Sequence, residues 1–134
     1  MTDLIDEAIE VFAQYAATKP SPLSGVLIQT VRGAAGRVAS DAMAFPHRAF
    51  PFAPIIVSQW TNPAESERNI GWARDFSTAL QPFAGAGAYV NDLGQDDEDR
   101  IRIAYGRNYE RLAGLKRKYD PDNFFRLNPN IKPG

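Results

Sequence analysis

The chain has 134 residues, with 15 Lys and Arg against 16 Asp and Glu, a formal net charge of −1, 44% apolar and 23% charged residues. That balance belongs to a soluble globular domain with enough chain to bury a core, and it excludes a wholly disordered or low-complexity polypeptide. The absence of cysteine and the presence of a single histidine, His47, exclude disulfides, thiolate nucleophiles and clustered imidazole metal sites within one chain, while near-neutral charge argues against nucleic acid or an anionic membrane as partner.

Residues 3–17 have the apolar period of an amphipathic helix, with Leu4, Ile5, Ala8, Ile9, Val11, Phe12 and Tyr15 on one broad face. Thr2 or Asp3 is the expected cap, and Asp6 and Glu7 suit the positive helix end. The run Lys19-Pro20-Ser21-Pro22 stops it. Ser24–Val31 is rich in branched residues and predicts a strand. The loop Gly33-Ala34-Ala35-Gly36 has neither the glycine spacing of a dinucleotide fingerprint nor the lysine of a phosphate loop, and is expected to be a plain turn. A second strand is expected over Ala42–Arg48, at a sheet edge because of Pro46, and a third over Ile55–Thr61.

Asn62-Pro63 opens a helix over residues 64–80, with Trp72, Phe76 and Leu80, then Phe83, as its inner face. A short fourth strand is expected over residues 86–91, between Gly85 and Gly94. The acidic stretch Asp96–Asp99 lacks the alternating ligands of a calcium loop and is expected at a solvated helix start. Arg102–Lys118 is the last helix, with Tyr105, Tyr109, Leu112 and Lys116 on one side, and Pro121 ends it. Phe124 and Phe125 are expected to anchor the tail against the core. Strands grouped first and helices separating the later one predict an α+β domain: an antiparallel sheet of about four strands with helices packed on one face, in a single domain over residues 1–134. The acidic start shows no secretory signal, so a cytoplasmic location is expected. A catalytic triad would have to run through His47, without a G-x-S-x-G turn to support it.

The C-terminal third is dense in spaced elements. Tyr89-Val90-Asn91 comes first, then Tyr105-Gly106-Arg107-Asn108-Tyr109-Glu110-Arg111-Leu112, then Lys116 to Phe125 with its central Tyr119-Asp120-Pro121, and finally Asn128 to Pro133. In this order they resemble the C-terminal, substrate-side region of the berberine-bridge-enzyme-like FAD-linked oxidases. The resemblance is densest over residues 87–133 and extends more weakly through Ala44-Phe45-Pro46-His47-Arg48 and the strand ending at Trp60, so that it covers residues 20–133.

On a strand, Tyr89 and Asn91 point to one face, so a phenol and a carboxamide stand side by side. The resemblance implies that Tyr89 is the catalytic or substrate-orienting residue, that Asn91 contacts the FAD cofactor, and that His47 lines the substrate cavity. The implied chemistry is deprotonation of a substrate hydroxyl or amine with hydride transfer to the flavin. A phenol ordinarily titrates near ~10, so base action near neutrality requires a positive neighbour. Read without the resemblance, Tyr89 is a half-buried tyrosine and His47 a structural histidine beside Arg48.

Family members are several times longer, and their other domain binds the flavin. This chain therefore resembles the substrate-side half, expected to be inactive alone and to need an FAD-binding chain as partner and a small organic substrate. The alternative is a stand-alone, non-enzymatic domain that binds a ligand or forms a homodimer, because a sheet face stripped of flavin would expose an apolar patch.

Overall fold

The structure is a computed structural model that describes residues 1–85, 98–127 and 129–133. The described residues fall into two compact units: Met1–Arg32 with Phe50–Gly85, and Gly33–Ala49 with the described part of Ala86–Gly134.

The first unit is two helices on a two-stranded sheet. Helix α1 spans Asp6–Ala17 and buries Ala8 and Phe12, four residues apart on one face. Its start is later than the sequence predicts, and Thr2 and Asp3 do not cap it; Ile5 holds the cap position without a side-chain bond. The reason is at Met1. Its amino group donates to the Phe52 carbonyl at 2.7 Å, and the Phe52 N–H donates back to the Met1 carbonyl at 3.2 Å. The first residue is thereby pinned in an extended pairing and cannot wind into the helix.

Strands β1 (Gly25–Thr30) and β2 (Phe52–Val57) pair antiparallel, Val26 opposite Ile56 and Thr30 opposite Phe52. Just beyond the pairing, Ser24 Oγ donates to the Gln59 carbonyl at 3.1 Å and accepts from the Gln59 N–H at 3.0 Å. Because Phe52 spends its backbone groups on Met1, it points them away from β1, and alternation makes Pro54 and Ile56 do the same. Pro54 is therefore tolerated inside a strand: the N–H that it lacks would have faced away from the sheet.

Helix α2 spans Ser66–Leu80 and follows the 3-10 turn Pro63–Glu65, where Asn62 Oδ1 accepts from the Ala64 N–H at 3.1 Å. As the period predicts, Trp72, Phe76 and Leu80 are buried, with Phe83 packed beside them. Phe76 sits at the centre: the Tyr15 ring stacks on it at 4.6 Å, and Phe12 and Trp72 meet it at 5.9 and 5.6 Å. Trp72 Nε1 donates to the Tyr15 carbonyl at 3.1 Å, so the indole is both packed and satisfied. Val26, Phe52 and Ile56, on one sheet face by register, pack on this cluster.

The second unit holds α3 (Glu98–Tyr105) and α4 (Tyr109–Tyr119), joined by the 3-10 turn Gly106–Asn108. The single helix expected over 102–118 is broken because Gly106 takes φ +51°, a left-handed conformation that ends α3 after Tyr105. Ile101, Tyr109 and Ala113 form this unit's core, with Tyr105 and Ile131 against it. Helix α4 stops at Tyr119 as expected.

The expected sheet is corrected in two places. Among the described residues there are two strands rather than about four. Ala42–Arg48 is not a strand but a turn leading to the 3-10 segment His47–Ala49. The third expected strand lies three residues earlier than predicted, over Phe52–Val57 rather than Ile55–Thr61. The fourth, over residues 86–91, lies outside the described residues. The mixed helix-and-sheet class and the antiparallel pairing stand. Phe124 and Phe125 do not anchor the tail against a core, since both rings are exposed.

Candidate functional site

Tyr89 and Asn91 lie outside the described residues, so the phenol–amide pair has no geometry to report. His47 does. It sits half-buried in the segment His47–Ala49, with Nε2 2.8 Å from the Ala104 carbonyl of α3. A carbonyl only accepts, so this nitrogen carries the proton and donates. The Phe45 ring meets the imidazole edge-on at 5.7 Å. In this position His47 ties the loop to the helix.

Two further side chains make the same kind of tie. Asn108 is buried, and its Nδ2 donates to the carbonyls of Ser40 at 2.7 Å and Met43 at 2.9 Å, with Ala44 at 3.5 Å. Three carbonyls around one amide fix its orientation, because only the NH2 end can face them. Arg111 donates to the Asp41 carbonyl at 3.1 Å. Arg48 reaches back to the Ala35 carbonyl at 2.6 Å and lies over the Phe45 ring at 5.4 Å. Within the backbone that propensity reads as a strand, Met43 and Ala44 thus give their carbonyls to Asn108. The sequence contains the Tyr105-Gly106-Arg107-Asn108-Tyr109 run, but the job of Asn108 is visible only once residues 40–44 are beside it.

The turn after α4 is a second built arrangement. Lys116 Nζ donates to Asp120 Oδ2 at 2.5 Å and to the Phe125 carbonyl at 2.6 Å. The Asp120 carboxylate also accepts from the N–H groups of Phe124 at 2.7 Å and Phe125 at 3.1 Å. The Lys116 hydrogen bond, helped by the two backbone donors, holds the Asp120 carboxyl below its ordinary value. Asn123 completes the turn with φ +52°. On α3, burial pushes the Tyr105 phenol up, which leaves it neutral and unsuited to act as a base.

A pyrophosphate needs a glycine-rich turn feeding a full helix N-terminus. Gly33, with φ +62°, leads only into the three-residue turn Ala35–Arg37. Among the described residues, Gly33 therefore feeds no helix long enough to cradle a pyrophosphate. Among the described residues no group of His, Asp and Glu side chains is placed to hold a metal ion, and no helix is long and apolar enough to cross a membrane.

Comparison with known proteins agrees with the motif series. Residues 88–132 match the pattern of the "Berberine and berberine like" family. An FAD-linked oxidoreductase of Bacillus subtilis (strain 168), YgaK, is 35% identical over 130 residues, which is 97% of this chain and 29% of that protein. A berberine bridge enzyme-like protein of Nicotiana tabacum is 32% identical over 146 residues, spanning 84% of this chain and 26% of the relative. The chain therefore spans less than a third of the length of these relatives. Among solved structures, a glycopeptide hexose oxidase complexed with teicoplanin superposes with a TM-score of 0.75 at 23% identity, covering 97% of this chain and 30% of the other, which shows a shared fold. The resemblance read from the motifs holds, and FAD is the cofactor named for the Bacillus relative.

Proposed function

We propose that this berberine-like chain is the substrate-side portion of an FAD-linked oxidoreductase, completed by a flavin-holding portion that its described residues do not supply. The observation that carries this reading is the alignment of nearly the whole chain with 29% of an FAD-linked oxidoreductase at 35% identity.

Within that reading, Tyr89 orients the substrate hydroxyl or amine and takes its proton, and Asn91 contacts the cofactor from the same strand face. His47 is the remaining candidate substrate contact. Its bond to Ala104 gives it a fixed position from which to make one. The substrate is a small organic molecule, and the chain alone turns nothing over.

The test is a chimera in which this chain replaces the 130 aligned residues of the Bacillus relative. A soluble chimera that purifies with bound flavin supports the substrate-side reading; a soluble, folded but colourless one overturns it. In the flavin-bound chimera, Tyr89→Phe should lower turnover by ~100-fold or more, the span of a lost general base, and Asn91→Ala should weaken flavin retention. Turnover and retention that survive both substitutions would refute the assigned roles.

A further inference from the structure

The outer edge of β2 begins a ladder that the described residues do not finish. Met1 and Phe52 exchange both backbone bonds, at 2.7 Å one way and 3.2 Å the other. Such an exchange is the hydrogen-bonded pair of an antiparallel ladder. The Met1 side chain is 5% exposed and belongs to the core cluster of Phe12, Trp72 and Phe76. An end residue is ordinarily poorly ordered unless tied down. This one is held by backbone and side chain together, and its amino group donates from the place of a ladder amide.

Ala53, Ile55 and Val57 give their backbone groups to β1, so alternation turns those of Pro54 and Ile56 to the Met1 side. Among the described residues, the Pro54 carbonyl and the Ile56 N–H and carbonyl have no partner there. Antiparallel direction fixes how a chain would meet them, because each step forward along β2 is one residue back on its partner. With Met1 opposite Phe52, Pro54 calls for a residue two ahead of the Met1 position and Ile56 for one four ahead. Phe52 and Ile56 pack on the core cluster, so side chains at those two positions would fall on the same, helix-covered face. Apolar residues suit them.

We infer that this edge receives a strand of the flavin-holding portion: an extended segment, apolar at alternate positions, that runs antiparallel to β2 and in line with Met1. The source of that strand rests on the substrate-side reading above. A second copy of the chain does not suit the edge. Met1 already fills the place opposite Phe52, and of the outward-facing residues that remain, Pro54 has no N–H to give. A segment in line with Met1 keeps the Phe52 pair and adds the groups of Pro54 and Ile56 to it. It also covers an edge that would otherwise invite unspecific strand pairing.

Amide hydrogen exchange at Ile56 tests this, in the 134-residue chain and in the chimera, where the Bacillus relative's own residues stand ahead of the Met1 position. In the chain alone, the Ile56 amide should exchange quickly while the Ile55 amide, bonded to β1, is protected. In the chimera, Ile56 should slow at least ~100-fold and Ile55 should change little. A proline two or four residues ahead of Met1, where its missing N–H would have faced β2, should undo at least ~10-fold of that protection; a proline three ahead, whose N–H would face away, should leave it. A chimera that holds flavin but exchanges Ile56 as fast as the chain alone overturns the proposal and leaves the substrate-side reading standing. A folded chimera with slow Ile56 and no flavin keeps the pairing and refutes that reading instead. Protection of Ile56 in the chain alone also overturns the proposal, since the edge is then closed from within. So does equal loss at all of these proline positions, which marks a linker rather than a ladder.

Discussion

Asn108 gives the sharpest test of how the second unit is held. Its NH2 group donates two well-formed hydrogen bonds, to Ser40 and Met43, each worth about 1 kcal/mol net. In Asn108→Ala the carbonyls of Met43 and Ala44, on exposed residues, regain water, so the loss should stay near ~2 kcal/mol. Asn108→Asp keeps the shape but turns the donor end into an acceptor facing three carbonyls. A nearly buried carboxylate without donors is worse than a truncated side chain, and the loss should exceed ~3 kcal/mol. The order Asp worse than Ala is the signature of a donor; a residue that merely filled space would give the reverse. Acidification should narrow the gap, because burial raises the introduced carboxyl and its protonated form regains one O–H donor. Hydrogen exchange over residues 35–48 and 101–119 reads this unit directly, while Trp60 and Trp72, both in the first unit, report the other by fluorescence. An Asp variant as mild as the Ala variant would refute the clamp.

Three further outcomes are expected. Phe76→Ala removes a fully buried ring in contact with Tyr15, Phe12 and Trp72 and should cost ~3–5 kcal/mol, seen as a lower urea midpoint by tryptophan fluorescence. Gly106→Ala places a Cβ at φ +51° and should cost ~1–2 kcal/mol, read as faster exchange at the α3–α4 junction; no change would mean that the break does not depend on glycine. Asp120 has a carboxyl held low in the folded state, so its contribution is present above the ordinary carboxylate value of ~3.9 and is lost as pH falls through the folded one. Asp120→Asn should flatten the acid limb of a stability–pH curve, and an unaltered limb would show that the Lys116 contact carries no linkage.

Legibility in the sequence followed the source of each element's stability. The α2 face could be read because Trp72, Phe76 and Leu80 recur at helical spacing and their burial depends on that spacing alone. Strand β1 could be read from its branched residues. The start of β2 was missed because Pro54 argues against a strand until the direction of its absent N–H is known. Ala42–Arg48 was misread because its conformation is imposed by distant partners, Asn108 at Met43 and Ala44 and the Ala104 carbonyl at His47. No local period encodes that. Gly106 was passed over because a lone glycine in a helical pattern is ordinarily tolerated. The site fared differently. The motif series carries the family resemblance, but the roles of Tyr89 and Asn91 rest on that resemblance, and of the three candidate residues only His47 lies among the described ones, with its bond to Ala104. Phe124 and Phe125 were expected inside on hydrophobicity, yet their backbone is held by Asp120 and Lys116 and their rings face solvent.

The pairing of Met1 with Phe52 has a practical side. The terminal amine is partly withdrawn from water, which lowers its affinity for a proton, and it is already aligned with β2. A purification handle fused ahead of it would be steered antiparallel along that strand, past a proline that offers no donor and on to Ile56. Such a handle is not a neutral addition: it would become a crude extra strand and change the mechanics of the unit to be measured. Placing the handle at the opposite end of the chain leaves the Met1–Phe52 pairing undisturbed.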